Sequence, residues 1–567
     1  MEFIPREVSL EEKPWYKSYD PGMPYTLRPY PEITLLEAVR DTVQQRPKHT
    51  ALIFKGEQMS YGELDQLSDA FGATLFNLGV KKGDRVALLI PNSPQAVIAQ
   101  LGTWKAGAIV CPINSLYTAA ELEFALSEVG AETVVVLTPF YQKVKALQDR
   151  CGIKRIITTN IKDYLPPTLR LLFTLLKEKK EGHRIQLQAG DYSMNELLKL
   201  NAHAIRPEVA VGPEDSAILL FSGGTTGVPK AALGTHQALL ISAMQLHAYA
   251  KSVLVDWDDP ITLCMPMFHI YGNMGMCTSL VARWPMVLVP NPRDLDDLVE
   301  TIRKTRPAVL HGVPTLFNGL LNHPAVKAGK VDFKSMKVCY SAAAPLLAET
   351  KHRFEALTGG RLLEAYAMTE TMLAAVACPV QGAYKEGSTG VPITDVEVRI
   401  VDVNNGEESL PPMGVGEILI RAPQVMVGYW QNPTETANIL RDGWVYTGDI
   451  GYLDEDGYLF IVDRKKDLIK PSGFQVWPRE VEEVIATIPA VADVCIAGVP
   501  DAAQGEAVKA WVVLKEGKRA SAREIQDYCR TKLVGYKIPK EIEFRDTLPK
   551  TLVGKTLRRK LKEEEPD

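Results

Sequence analysis

The chain has 567 residues, enough for roughly three or four folding units at about 150 residues each. Its 46% hydrophobic and 23% charged residues exclude a disordered chain, a collagen-like fibre and a small disulfide-stapled fold. A net charge of -5 argues against a broad nucleic-acid-binding surface, while leaving room for a local basic groove that holds phosphates.

The opening stretch MEFIPREVSLEEKPW carries several acids and no sustained apolar core, so no secretory signal is expected. No run approaches the roughly 18 apolar residues of a membrane span. The eight cysteines are scattered without a C-x-x-C pair, as in the reduced core of a cytosolic protein. The expected location is therefore cytoplasmic, with peripheral attachment to a membrane as the variant.

Between 84 and 138, the compact apolar runs DRVALLIP, AIVCPIN and AETVVVLT alternate with the helically spaced PQAVIAQLGTWKAG and AAELEFALSEVG. Strands separated by helices of this length predict a parallel sheet with helical crossovers. The segment 164–184, YLPPTLRLLFTLLKEKKEGHR, sets Leu and Phe beside Lys and Arg. It reads first as a surface helix whose apolar stripe packs on the domain, and second as an interfacial helix touching lipid headgroups.

The strand–helix rhythm recurs from 216 to 366 in SAILLF, PITLCMP, PMVLVP, PAVLHG, SMKVCY and GRLLEAY. After about 385, strands separated by Gly, Pro, Asn and Asp predict a β-rich section. A last α+β piece begins near 466, and SAREIQDYCRTKL opens with a capping box, Ser521 to Glu524. The expected fold is α/β, with a large N-terminal domain (1–465) of two α/β sheet subdomains plus the β-rich section. A small mobile α+β domain (466–567) follows.

The strongest local signal is LLFSGGTTGVPKAALGTH, 219–236. A strand runs into Ser222, Gly223, Gly224, Thr225, Thr226 and Gly227, and Lys230 follows. Glycines admit a ligand close to the backbone, whose N–H groups form an anion cradle. Hydroxyls and a lysine add donors for phosphate oxygens. The pattern is not a Walker A loop, because Pro229 precedes the lysine and Ala231 follows it.

This loop resembles the phosphate loop of the adenylate-forming superfamily, which contains acyl-CoA synthetases, luciferase and peptide-synthetase adenylation domains. Further landmarks resemble the family's in the family's order: MPMFHIYG (265–272), SAAAP (341–345), YAMTE (366–370), the T-G-D and hinge stretch (446–473), and PKTLVGKTLRRKL (549–561). The last three read weakly alone, as core, turn or surface residues.

The resemblance implies ATP, Mg²⁺ and CoA as cofactor and co-substrates. It implies Tyr366 and Ala367 beside adenine, with Ala343 and Ala344 in a small-residue turn that leaves room for the purine. Thr226 and Thr369 would bond phosphate, and Glu370 would hold Mg²⁺. Asp449 and Arg464 would take the ribose, and His269 would lie beside the substrate carboxylate. Lys555 would stabilise the charge of adenylation. Lys470 and Gly473 would face CoA after the small domain turns about Lys466. Departures from the family pattern are Ala231, Ala365 and Ala367, which stand where glycines are common.

The implied chemistry is adenylation of a carboxylate followed by transfer of the acyl group to CoA. GVPTLFNGLLNHP (312–324), the SGGTTG variant and the 164–184 insert are similar to prokaryotic long-chain fatty acyl-CoA ligases, so a fatty acid is the expected acid. The apolar stretches 238–250 and 270–280, with their methionines, suit an adaptable acyl tunnel. Asn273 stands near where some relatives carry a tryptophan gate. The alternatives are an aryl or cinnamate-type CoA ligase, a luciferase-like or carrier-dependent adenylating enzyme, and a non-catalytic nucleotide-binding relative, which the full motif set opposes. Oligomeric state is left open.

Overall fold

A computed structural model describes residues 13–204, 206, 208–222, 229–342, 346–403, 405–474, 476–501, 504–550 and 556–564. The first large sheet is built on strands β1 (Arg85–Leu89), β2 (Ile109–Pro112), β3 (Thr133–Leu137), β4 (Arg155–Thr159) and β5 (Ser216–Ser222). They are all parallel, in the spatial order β5-β2-β1-β3-β4. β6 (Lys230–Thr235) turns back antiparallel to β5 and sets Lys230 opposite Ser222. Tyr192–Ser193 and Gly428–Tyr429 form the edges.

Every residue of β3, Thr-Val-Val-Val-Leu, is buried, as expected of a parallel strand covered on both faces. The crossover helix α1 (Pro94–Lys105) starts with proline and is buried all round. The crossover helix α2 (Ala119–Val129) is bounded by a Thr118–Glu121 capping box and by Gly130 in the left-handed conformation.

The second sheet has nine strands. Its parallel centre includes Ile261–Leu263, Val309–Gly312, β7 (Val338–Ser341) and β8 (Arg361–Tyr366). Helices α3 (His236–Ala250) and α4 (Ile270–Ala282) pack on each other, and both share one core with α1. Buried Asn92, after β1, donates to the carbonyls of Leu263 and Met265 at 2.8 and 2.9 Å, which ties the two sheets together. Asn273 is part of this seam. It is fully buried and pairs its amide with that of Gln100 on α1 at 3.0 Å, so it serves packing between the sheets.

The β-rich section is a five-stranded antiparallel sheet that includes β9 (Trp444–Leu453) and β10 (Leu459–Arg464). The C-terminal piece has its own core, formed by α5 (Pro478–Ala486), strands Val491–Asp501 and Gly505–Leu514, and the helix Ala522–Arg530. That helix carries the expected capping box.

The segment 164–184 packs its apolar stripe on the domain only in part. It forms a short helix, Pro167–Leu172, running into a π-helical turn, Phe173–Lys177. Leu165 and Phe173 pack inward, but Leu169, Leu171, Leu172, Leu175 and Leu176 are exposed. Polar contacts hold the segment to the domain: Lys162 pairs with buried Glu178, and Thr138 Oγ1 meets His183 Nδ1 at 2.8 Å. With its C-terminal end pinned there and Leu165 buried at its start, the leucine face is turned outward. Among the described residues no helix is long and apolar enough to cross a membrane.

Candidate active site

In a parallel sheet all strands deliver their C-terminal ends to one edge, and ligands bind there. Here Ser222 ends β5, Ser341 ends β7 and Tyr366 ends β8, and all three line one cleft. The cleft has a volume of about 2110 Å³. Its opposite wall comes from the C-terminal piece, through Glu482, Asp493, Gly498 and Arg558.

The phosphate side is flanked by the end of β5 and the start of β6. Lys230 pairs with Glu435 and lies 5.3 Å from the ring centre of Tyr429. The Tyr429 hydroxyl donates to Glu370 Oε1 at 2.7 Å. Thr369 and Glu370 are both buried in a short 3₁₀ turn after β8, and both line the cleft. A buried carboxylate therefore faces the cleft beside a lysine. Neither Tyr429 nor Glu435 carries a motif in the sequence. Glu435 is 205 positions from Lys230, and only folding brings them together.

The nucleoside side is a second cluster. Asp449 and Arg464 are register partners on β9 and β10. Arg464 Nε reaches Asp449 Oδ1 at 3.1 Å, and the Tyr366 hydroxyl donates to Oδ2 at 2.7 Å. Burial, reinforced by the Asp449 charge, holds the Tyr366 phenol well above its ordinary value. Each carboxylate oxygen of Asp449 keeps a free lone pair, so the group can still accept from ligand hydroxyls. Ala367 lines the cleft next to Tyr366.

His269 caps α4. Its Nδ1 accepts the backbone N–H of Tyr271 at 3.2 Å, which leaves the proton on Nε2. Burial pushes its pKa down to about 4, so at neutral pH the ring is an uncharged donor. The same cleft is lined beside α3 and α4 by Leu246, Tyr249, Leu254, Gly275, Trp284 and Val309. The wall there is predominantly apolar.

Lys470 does not line the cleft. Its side chain is exposed and its backbone N–H donates to Glu506 Oε2 at 2.7 Å. Gly473 closes the turn Pro471–Gly473, in which Ser472 takes φ +49°. Lys466 lines the cleft, where partial burial lowers its pKa. Gly223, Gly224, Thr225, Thr226, Gly227, Ala343, Ala344 and Lys555 lie outside the described residues.

Arg558 was not among the residues singled out by sequence. It meets Asp463 at 3.3 Å, Asp467 at 3.0 Å and Glu482 at 2.8 Å, joining the end of β10, the short turn after it and α5. Burial works against its charge, but Glu482 and Asp463 outweigh burial and raise its pKa. In the sequence it is one of several basic residues in TLRRKLK, with nothing to mark its partners.

A family model described as AMP-binding enzyme matches residues 39–430, and one described as AMP-binding enzyme C-terminal domain matches 480–555. The chain is 38% identical over 560 residues to a long-chain-fatty-acid–CoA ligase of Bacillus subtilis (strain 168), covering 98% of this chain and 99% of that one. It is 36% identical over 563 residues to a protein of the same name from Escherichia coli O157:H7, covering 98% of each. The crystal structure of ATP-bound MatB from Rhodopseudomonas palustris superposes with a TM-score of 0.80 at 29% identity, over 94% of this chain and 99% of that one. Joined to a cleft that gathers Tyr366, Thr369, Glu370, Asp449 and Arg464, these likenesses make the chain a member of the AMP-binding, adenylate-forming enzymes.

Proposed function

We propose that this protein is an ATP-dependent long-chain fatty acid–CoA ligase of the AMP-forming type. The observation that carries the reading is the position of His269. A neutral donor lines the cleft that holds both the nucleotide-side clusters and the apolar branch beside α3 and α4. A carboxylate held there has its tail in the branch and its oxygens toward the α-phosphate. One carboxylate oxygen attacks the α-phosphorus, the bond to the β-phosphate oxygen breaks, and pyrophosphate leaves. The CoA thiol then adds to the acyl carbonyl, and AMP departs with the electron pair of the mixed-anhydride bond.

The residues divide this work by chemistry. Tyr366 offers a flat face to adenine, and Asp449 with Arg464 accepts and donates at the ribose. The loop Ser222–Gly227, with Thr226, and Lys230 hold phosphate oxygens. Lys555 supplies positive charge as negative charge spreads over the phosphorus. The small domain, 466–567, turns about Lys466 on the large domain, 1–465, and then offers Lys470 and Gly473 to CoA.

Magnesium fits the donor set. Among the described residues no group of three or more His, Cys, Asp or Glu side chains could hold a metal. Mg²⁺ needs only one or two carboxylates when phosphates and waters complete its shell. Glu370 would hold it, and the bound ion would neutralise phosphate charge. The reading places the enzyme in the cytoplasm, in peripheral contact with the inner membrane face.

A series of fatty acids of increasing length, with ATP and CoA and AMP release as readout, tests the proposal. Long-chain acids should be turned over best. Preference for benzoate or cinnamate, or ADP as product, would overturn it.

A further inference from the structure

The leucines of 164–184 are the largest run of exposed apolar side chains among the described residues, with Leu175 71% and Leu176 69% accessible. The segment is firmly held. Leu165 is buried, the Phe173 ring packs edge-on against His183 at 5.1 Å, and Asn160 Nδ2 donates to the His183 carbonyl at 3.3 Å. Its exposed face is therefore displayed by the fold.

Charge accompanies the apolar ridge. Arg170, Lys177, Lys179, Lys180 and Arg184 stand against Glu178 and Glu181, a net +3 within a chain of net charge -5. Glu178 is buried against Lys162 with Arg184 at 3.8 Å, and Lys177 lies 3.6 Å from Glu181, yet all five cations are exposed and Lys179 and Lys180 pair with neither glutamate. An apolar face edged by cations matches an anionic lipid surface, where leucines enter the acyl boundary and cations meet phosphates. A second copy of the chain is the poorer occupant, because pairing this ridge with itself would set like charges together.

The ridge also lies on the catalytic edge of its sheet. It follows the C-terminal end of β4, and β4 runs parallel to β5, whose C-terminal end is Ser222. Four strand spacings separate β4 from β5, roughly 19 Å at about 4.8 Å each. We infer that the 169–184 ridge is a docking surface for the anionic face of a lipid bilayer, set so that the cleft opens beside the membrane. This deepens the peripheral contact proposed above. Only the benefit to catalysis rests on the ligase reading.

The test is co-sedimentation of the full chain with vesicles of phosphatidylcholine mixed with phosphatidylglycerol, and with pure phosphatidylcholine. At low salt the mixed vesicles should bind the protein, and binding should weaken as salt rises. The triple substitution Lys177→Gln, Lys179→Gln, Lys180→Gln should lower partitioning roughly a hundredfold, at about fivefold per basic residue. Replacing Leu171, Leu172, Leu175 and Leu176 by Gln should abolish binding at every salt concentration. Both variants should keep wild-type circular dichroism and wild-type pyrophosphate exchange with a short, water-soluble acid. Wild-type protein that ignores mixed vesicles, or variants that bind as well as wild type, would overturn the inference. Leucine variants that split a dimer, with no vesicle binding by wild type, would overturn it in favour of self-association. Failure of the ligase reading would leave vesicle binding intact.

Discussion

Replacing Arg558 with Met tests how the small domain is held. The guanidinium joins Asp463 and Asp467 to Glu482, and the Asp463 side chain is only 2% accessible. Removing one partner of such a buried pair costs about 3–5 kcal/mol, because uncompensated charge stays behind. Arg558 is itself partly accessible, so the lower figure of about 3 kcal/mol applies. If that cost falls on the arrangement seen here, the population with the turn Lys465–Asp467 exposed rises roughly a hundredfold. Lys465 and Lys466 lie in that stretch, so trypsin should cut there about a hundred times faster and release the C-terminal piece. Arg559→Gln is the control, since its partner Glu563 is a solvent-exposed ion pair. Acidification gives the sign. Burial raises the pKa of Asp463 and Glu482, so without Arg558 the folded state takes up protons more readily than the unfolded state. The deficit should be full above the folded pKa values and shrink as pH falls through them. Equal cleavage rates for wild type and Arg558→Met, with folding intact, would refute the latch.

The other expectations are briefer. Glu370→Gln removes the carboxylate proposed for Mg²⁺, so it should raise the Mg²⁺ needed for half-maximal rate and lower turnover; unchanged kinetics at limiting Mg²⁺ would count against it. Tyr366→Phe keeps the ring but drops the 2.7 Å bond to Asp449, a charged-acceptor bond of about 1.5–3 kcal/mol, so KM for ATP should rise about tenfold or more while KM for the acid holds. Because burial sets the His269 pKa at about 4, adenylation should show no inflection from this residue between about pH 6 and 8, whereas an inflection lost in His269→Ala would contradict the neutral assignment. Lys555→Ala should slow acyl-AMP formation by about 10²–10³ yet convert supplied acyl-AMP to thioester normally, and Lys466→Pro should do the reverse. Equal loss of both half-reactions in both variants would remove the division of labour between these lysines.

Much of the fold is legible in the sequence because short-range physics writes it there. The β-branched run TVVVL announces a strand buried on both faces, and Ser521 with Glu524 announces a helix start. The ordered motifs make the family readable, since residues that touch a nucleotide must keep their type and local spacing. Tertiary structure decided what spacing does not encode. Tyr366 and Asp449, 83 positions apart, become one hydrogen-bonded unit, and Lys230 finds Glu435 across 205 positions. Arg558 acquires three carboxylate partners from stretches that show no mutual pattern. Asn273, whose role the sequence leaves open, becomes a core amide facing Gln100. The leucines of 164–184 carry the same periodicity whether they face a core or solvent. Which way they turn depends on where Lys162, Thr138 and Asn160 anchor the segment's C-terminal end, and that is a property of the folded domain.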